Sequence, residues 1–263
     1  MPSIHPTAIV DPSARLADEV EIGPYAFVDA DVSIGANCQI MHGAHIGRWT
    51  TLGADNRVYP GAVVGLDPQD VGYSGEKAET IIGSGNIFRE GVTVHRGNRP
   101  GTQTLIGNDN FFMVNSHVAH NCIIGNNVIL VNGALLAGHV EIADRVIISG
   151  NCQIHQFVRV GACAMMRGGS RLTKDLPPFC INDGINWART VNAVGLKRAG
   201  FDAKRLRTVK AAFKILFRSG LTTSAALDRI ETELPNSEDI RYLGEFIRAS
   251  KRGIASGSQT KSE

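Results

Sequence analysis

Histidine is the residue whose type and spacing in this sequence point most directly to chemistry. The chain has eight histidines, and four of them, His117, His120, His139 and His155, fall close together near its middle. A neutral imidazole is the side chain best suited to take up a proton near neutral pH. The group therefore predicts a general base, provided that the fold brings its members to one surface.

Six-residue repeats are the elements that would position these histidines. A large apolar residue recurs at every sixth position from Ile4 to Leu172, with a change of phase at two insertions. Two positions earlier a small or β-branched residue recurs, as at Ala26 and Cys38. The pattern predicts short strands with the large side chain inside, three of which close one triangular coil of 18 residues. The expected fold class is therefore mainly β, a parallel β-helix.

Glycine often follows the large apolar residue, as at Gly35, Gly53 and Gly107. We expect these glycines to supply unusual backbone angles next to the corners of the coil. The cysteines at the small position, Cys38 and two others, are expected to pack in the core.

The 18-residue coil turns sequence spacing into stacking. His120, Gly138 and Gln156 are 18 residues apart, so they should form one column on three consecutive coils. His120 lies two residues beyond the inward Val118, which should leave its imidazole outside the core. Besides a general base, two interpretations stay open: a ladder of solvated histidines, or a zinc site shared between subunits.

Two insertions interrupt the repeat, at residues 66–80 and 95–104, and both are rich in Gly, Pro and polar residues. Insertions in a solenoid become external loops, often on its binding face. The repeat itself ends near Asp175, so residues 1–175 are predicted to form the β-helix domain.

Helical patterns follow, and residues 190–252 are predicted to form a small α-helical domain. We expect a first helix between Thr190 and Arg198 and a long amphipathic one between Phe201 and Gly220. Two more are predicted at about 222–234 and 237–251. The tail, 253–263, consists largely of Ser, Gly, Lys and Gln and is predicted to be disordered.

Composition narrows the classes of function. The formal net charge is only +2, with acidic and basic residues mixed, so we expect no nucleic-acid partner. The five cysteines are odd in number and form no Cys-x-x-Cys pair, which argues against a disulfide framework and a cysteine zinc site. We expect neither a membrane span nor a signal peptide, and reduced thiols favour the cytoplasm.

Several short motifs spread over the chain match one known family. They are Pro68-Gln-Asp70, Val94-His-Arg-Gly97, Asn115-Ser-His-Val-Ala-His120, Leu136-Ala-Gly-His-Val140, Ile154-His-Gln-Phe157 and Gly195-Leu-Lys-Arg198. By these motifs the chain resembles the UDP-N-acetylglucosamine O-acyltransferases, hexapeptide-repeat enzymes that open lipid A synthesis. The resemblance implies a left-handed β-helix, a homotrimer with sites between subunits, and no cofactor. It also implies transfer of a 3-hydroxyacyl group from acyl carrier protein to the sugar 3-hydroxyl.

The resemblance further implies roles for single residues. His120 would be the general base, Asp70 would orient and charge-stabilise its imidazole, and the backbone N–H of Gly138 would bind the oxyanion. Gly168 matches the position that limits the acyl groove, so we expect a long acyl chain. The residues that match substrate-binding positions are Gln69, His117, His139, His155, Gln156, Asn192 and Arg198.

Three positions depart from the family pattern. Gly72 stands where a lysine is common, Val194 where a glutamate is common, and Ala199 where a second arginine is common. These departures suggest the hypothesis that the acceptor is a 3-amino UDP-sugar, which would give an amide. A zinc-dependent enzyme of the carbonic anhydrase kind and a non-catalytic scaffold are the remaining alternatives.

The helical domain carries many basic residues, and acyl carrier protein is acidic. We expect this surface to attract the carrier protein and raise its rate of association. A solvated basic helix face is the alternative. The basic residues are Lys197, Arg198, Lys204, Arg205, Arg207, Lys210, Lys214 and Arg218.

Overall fold

The computed structural model describes residues 1–257, which begin with a long series of strands two to four residues long. In chain order they are β1 (Ser3–Ile4), β2 (Ile9–Val10), β3 (Arg15–Leu16), β4 (Glu21–Ile22), β5 (Phe27–Val28), β6 (Ser33–Ile34), β7 (Gln39–Ile40), β8 (His45–Ile46), β9 (Thr50–Leu52), β10 (Arg57–Val58), β11 (Val63–Leu66), β12 (Glu79–Ile82), β13 (Ile87–Phe88), β14 (Thr93–His95), β15 (Gln103–Ile106), β16 (Phe111–Phe112), β17 (His117–Val118), β18 (Ile123–Ile124), β19 (Ile129–Leu130), β20 (Leu135–Leu136), β21 (Glu141–Ile142), β22 (Ile147–Ile148), β23 (Gln153–Ile154), β24 (Arg159–Val160), β25 (Met165–Met166) and β26 (Arg171–Leu172).

These strands form three parallel sheets, and each strand pairs with the third strand after it. The first sheet begins with β1, β4 and β7, the second with β2, β5 and β8, and the third contains β3, β6 and β9. His117 lies opposite Leu135, and Leu135 opposite Gln153, which is the expected 18-residue register. The predicted fold class, a left-handed parallel β-helix followed by helices, is confirmed.

The large apolar residues of the repeat fill the inside of the three-sided prism. Most are fully buried, and the rings of Phe88 and Phe112, on neighbouring coils, stack with centroids 4.8 Å apart. Ile4 lies in the outermost coil of the described chain and is 45% exposed, with the next coil packed on one side of it. Each coil therefore depends on its neighbours for its core.

Three asparagines occupy small inward positions of the repeat, where the sequence pattern suggested only apolar or β-branched residues. Asn56, Asn86 and Asn110 are buried, and the amide of each one donates to the side-chain oxygen below or to a corner carbonyl. Asn86 Nδ2, for example, donates to Asn56 Oδ1 at 3.0 Å and to Gly107 O at 3.0 Å. The ladder satisfies backbone carbonyls inside the corner, so burial of the amides is compensated.

The expectation that Gly35, Gly53 and Gly107 supply unusual backbone angles is wrong. The left-handed corner positions are filled mostly by residues with side chains, such as Asn121 at φ 61°. A Cβ on Gly35 would instead lie 2.6 Å from the backbone of Gly53 in the next coil. These glycines are required because stacked corners approach too closely for a side chain.

The two insertions leave the prism as loops, residues 67–78 between β11 and β12 and residues 96–102 between β14 and β15. Stacking also continues past Asp175, where the repeat in the sequence ends. Leu176 bridges Val160, and β27 (Cys180–Asn182) pairs in parallel with β25. The β-structure thus extends beyond the predicted boundary at residue 175.

The remainder of the described chain contains one more strand and a group of helices. They are β28 (Ala188–Val191), α1 (Ala193–Arg198), α2 (Ala203–Arg218), α3 (Thr223–Glu233) and α4 (Glu238–Arg248). The predicted start of the first helix at Thr190 is wrong, because Thr190 lies in β28 opposite Ile181. Within residues 1–257, no helix has the length and apolar character that crossing a membrane requires.

The predicted disorder of the tail is wrong for residues 253–257. Ile254 bridges Asp175, Ala255 is fully buried, and the backbone N–H of Ala188 donates to Ser256 O at 2.8 Å. This segment closes the end of the β-helix like a short strand. Residues 258–263 lie outside the described part of the chain.

Replacing Asn86 by Ala should lower the free energy of unfolding by about 2 to 4 kcal/mol, because it leaves buried donors and acceptors of the ladder unpaired. Asn108→Ala is the matched control, since Asn108 forms an exposed ladder with Asn126. Urea unfolding at one protein concentration would measure both variants. Equal losses for the two would contradict the role given to the buried ladder.

Candidate active site

A groove of about 580 Å³ runs over the column of residues that the 18-residue register brings together. Its walls include His117, His120, Gly138, His155 and Gln156. Gln69, from the first loop, also lines it, although Gln69 is far from the others in sequence. The structure therefore brings most of the sequence-predicted site residues to one surface.

The hydrogen bonds around His120 determine which ring nitrogen carries the proton. Asn121 Oδ1 lies 2.8 Å from His120 Nδ1 and also accepts a hydrogen bond from the backbone N–H of Asn98 at 3.2 Å. Because a backbone N–H can only donate, the oxygen of Asn121 must face both groups, and Nδ1 must carry the hydrogen. His120 Nε2 is then left with its lone pair free to accept a proton.

Gly138 gives His120 the space that its ring occupies. A Cβ on Gly138 would lie 2.6 Å from Cε1 and 2.7 Å from Nε2 of His120. Gly138 is therefore needed at this corner so that the imidazole can lie flat against the next coil. Among the described residues, none accepts a hydrogen bond from the backbone N–H of Gly138, so a donor beside Nε2 remains available.

Asp70 lies near His120, but its hydrogen bonds go elsewhere among the described residues. Its Oδ1 accepts from the backbone N–H of Gly72 at 2.9 Å, and its Oδ2 accepts from Asn98 Nδ2 at 2.7 Å. These bonds, together with the charges of His120 and Arg99, hold the pKa of Asp70 below its ordinary value. Asp70 is thus an ionised carboxylate at neutral pH, and the direct partner of the imidazole is Asn121.

A buried arginine anchors the loop that carries Gln69 and Asp70. Arg96 is 6% exposed and donates from Nε to the hydroxyl of Tyr73 at 3.0 Å and from Nη1 to Gly65 O at 3.0 Å. Its guanidinium also pairs with Asp67 and lies 5.0 Å from the centre of the Trp49 ring. Arg96, on the second loop, therefore holds the first loop in place.

The other histidines near His120 are held in the neutral form. Burial lowers the pKa of His95 to about 4, with the charges of His117 and His120 adding to the shift. Burial followed by the charge of His120 also lowers the pKa values of His117 and His139. His117 Nδ1 lies 2.7 Å from Thr93 Oγ1. Because these neighbours are neutral, His120 carries the positive charge that forms when a proton is taken up.

Aromatic stacking positions His139 on the same corner. Its ring stacks on Phe157 with centroids 4.7 Å apart and meets the His120 ring edge-on at 5.3 Å. His155 is exposed, and its Nδ1 lies 3.1 Å from Gln156 O.

Five predicted site residues do not line this groove within the chain. Asp70 and His139 lie beside His120, whereas Asn192, Arg198 and Gly168 lie elsewhere. Asn192 is buried, caps α1 by accepting from the backbone N–H of Gly195, and donates to Cys163 O at 2.9 Å. Arg198 is exposed on the same helix, and Gly168 is exposed on the coil above Gly150.

Sequence reasoning missed Asn98 and Asn121. Asn121 stands directly after His120, which was a usable signal, whereas nothing in the sequence connected the second loop to Asp70. Within residues 1–257, no three His, Cys, Asp or Glu side chains converge as metal ligands do. A zinc site would therefore need donors from another chain.

Adding a methyl group at Gly138 should displace the imidazole of His120 and reduce turnover about 100-fold, because small misplacements of a reacting group are costly. Gly150→Ala is the matched control, since the nearest atom to its added Cβ would lie 3.4 Å away. Steady-state rates and melting temperatures of both variants would test this. An active Gly138→Ala protein would contradict the assigned contact.

Comparison with known proteins places the chain in a family. The family model described as UDP-N-acetylglucosamine O-acyltransferase, domain 2, matches residues 175–255, and the bacterial transferase hexapeptide model matches residues 31–66 and 103–138. An acyl-(acyl-carrier-protein)–UDP-N-acetylglucosamine O-acyltransferase of Stenotrophomonas maltophilia is 42% identical over 256 residues, which is 96% of this chain and 97% of the relative.

Solved structures agree with the sequence matches. The UDP-N-acetylglucosamine acyltransferase of Bacteroides fragilis superposes with a TM-score of 0.93 at 42% identity, covering 95% of this chain and 99% of that one. The enzyme of Acinetobacter baumannii superposes at 0.92 and 37% identity, covering 96% and 99%. The chain belongs to the UDP-N-acetylglucosamine O-acyltransferase family.

Proposed function

We propose that this protein transfers a long 3-hydroxyacyl chain from acyl carrier protein to the 3-hydroxyl of UDP-N-acetylglucosamine, the first step of lipid A synthesis. The observation that carries the proposal is the Nε2 of His120, which lines a groove beside the backbone N–H of Gly138, with neither group bonded to a residue within 1–257. The names of the relatives support both the donor and the acceptor.

In this mechanism His120 Nε2 accepts the proton of the sugar hydroxyl while the hydroxyl oxygen attacks the thioester carbonyl. The N–H of Gly138 donates to the oxyanion of the tetrahedral intermediate. When the intermediate collapses, the C–S bond breaks and the imidazolium returns the proton to the leaving thiolate. No covalent enzyme intermediate and no cofactor are needed.

Asp70 contributes charge rather than a direct bond in this scheme. Its carboxylate is ionised and lies close enough to His120 for their charges to interact. That interaction stabilises the imidazolium that forms during the attack. Asn121 keeps the proton on Nδ1 throughout, which keeps Nε2 directed at the substrate.

We retain a hydroxyl acceptor over an amine because the relatives are named for transfer to UDP-N-acetylglucosamine. Gly72 is exposed on the first loop, and Val194 is 62% exposed on α1. Ala199 follows the same helix. None of these positions contacts the base, and Arg99 already supplies a positive charge beside Asp70 where the loop lacks a lysine.

A homotrimer would complete the site. The outward side chains of the first sheet form a half-buried apolar band, which is typical of a contact surface. A contact between this band and the grooved side of the next subunit closes a ring of three and places each groove between subunits. Arg198, which is exposed on α1, would then serve a neighbour's groove, and the buried Asn192 would position this helix. The band consists of Ile87, Phe111, Ile129, Ile147, Met165 and Ile181.

The basic surface of α2 would attract the acidic carrier protein. Lys204, Arg207, Lys210 and Lys214 are exposed, whereas Arg205 is engaged in an ion pair with Asp239 at 2.8 Å. Attraction of this kind acts mainly on the association rate and weakens with salt.

A carrier-protein donor and five free cysteines also support a cytoplasmic location.

Wild-type protein should transfer a 3-hydroxyacyl chain from carrier protein to UDP-N-acetylglucosamine, and His120→Ala should lose at least about 1,000-fold in kcat/KM because the base is removed. The 3-amino analogue serves as the second acceptor. Preference for the amine would overturn the hydroxyl assignment, and inactivity on both acceptors would overturn the function.

The resemblance implies that Gly168 limits the length of the acyl chain, although Gly168 lies outside the groove that this chain forms by itself. Gly168→Met places a long side chain on the coil above Gly150 and should shift the preferred donor to shorter 3-hydroxyacyl chains by several carbons. Competition between carrier proteins loaded with different chains would measure the preference. An unchanged donor profile would remove Gly168 from the acyl groove.

A further inference from the structure

Asn98 connects the two halves of the catalytic apparatus, and it stands directly after the motif Val94-His-Arg-Gly97 without being part of it. Its side-chain amide donates to Asp70 Oδ2 at 2.7 Å, and its backbone N–H donates to Asn121 Oδ1 at 3.2 Å. Asn121 Oδ1 in turn accepts from His120 Nδ1 at 2.8 Å. One residue therefore touches both the carboxylate and the partner of the base.

The position of the Asp70 carboxylate depends on this contact because the two residues that follow Asp70 are exposed. Gly72 and its neighbour Val71 are exposed to solvent, and Val71 has no packing partner to hold the turn. Arg96 anchors the loop on both sides of Asp70, through Asp67 and the Tyr73 hydroxyl, whereas the Asp70 carboxylate itself accepts from Asn98 and Gly72. Of the two hydrogen bonds that the Asp70 carboxylate accepts among the described residues, one comes from its own loop, at Gly72, and the other comes from Asn98 on the second loop.

The second loop is itself held by hydrogen bonds, so it can hold the Asp70 carboxylate in place. The backbone N–H of Arg99 donates to Thr102 Oγ1, and Thr102 Oγ1 donates to Arg99 O at 2.8 Å. The backbone N–H of Asn121 donates to Thr104 Oγ1 at 2.8 Å. Asn98 thus links the Asp70 carboxylate to Asn121, on the coil that carries His120.

We propose that Asn98 is a positioning residue, which holds the Asp70 carboxylate at a fixed place relative to His120 and so sets the electrostatic support of the base. This inference rests on the proposed function. It assigns to Asn98 no contact with the substrate and no role as an acid or base. The charged and titratable groups that face Asp70 are Arg99, His120 and His139.

A double-mutant cycle tests the proposal. Asn98→Ala should lower kcat/KM about 10-fold in the wild-type background and less than about 2-fold in the Asp70→Ala background, because its effect acts through the carboxylate. Asn126→Ala is the matched control, an asparagine on a different corner that bonds to Asn108. This control should retain the wild-type rate.

The variant Asn98→Asp separates positioning from packing. It keeps the size of the side chain but sets a second carboxylate against Asp70, so at neutral pH it should be less active than Asn98→Ala. Two adjacent carboxyls share a proton as the pH falls, which restores a donor between them. Its activity relative to wild type should therefore rise between pH 8 and pH 5.5.

The outcomes are distinguishable. Additive losses in the cycle, or a pH profile of Asn98→Asp parallel to that of wild type, would overturn the positioning role while acyl transfer itself stands. An inactive wild-type protein would overturn the proposed function and this inference with it. A shared melting temperature for Asn98→Ala, Asn98→Asp and wild type would show that the losses do not arise from unfolding.

Discussion

Parallel pairing between coils 18 residues apart is the interaction on which the rest of this structure depends. It buries each coil against the next and provides hydrogen-bond partners for the backbone N–H and C=O groups of the strands. The outer faces of the sheets need no second apolar layer. It also fixes the site, because residues distant in sequence but equal in register become neighbours. His120 and Gly138 are neighbours for this reason. The imidazole of His120 can lie against Gly138 because Gly138 has no Cβ.

The polar surroundings of the base follow from the same geometry. His117 lies on β17 and His139 lies on the corner of the next coil, and burial lowers the pKa of both. The positive charge formed in catalysis is therefore carried by His120. The loops add what the coils cannot, a carboxylate at Asp70 and a donor at Asn98. Two parts of the structure therefore determine the charges around His120: the stacked coils and the first loop, which Arg96 anchors.

The sequence predicted the repeat, the register and the column of site residues because a period of six is a steric requirement of the coil. It could not reveal the ladder of Asn56, Asn86 and Asn110. A buried amide is tolerated only when it has hydrogen-bond partners, and these partners lie on neighbouring coils. The roles of corner glycines and of Thr190 were misjudged because close approach between coils and pairing with Ile181 are tertiary effects. Loop contacts such as Asn98 to Asp70 have no sequence period at all.

A crystal structure with bound UDP-N-acetylglucosamine would test the central claim most directly, namely that Nε2 of His120 is the proton acceptor. The account predicts the sugar 3-hydroxyl within about 3.2 Å of Nε2, with Nδ1 still directed at Asn121. A sugar whose 3-hydroxyl lies at another side chain, or an imidazole turned to place Nδ1 in the groove, would contradict it.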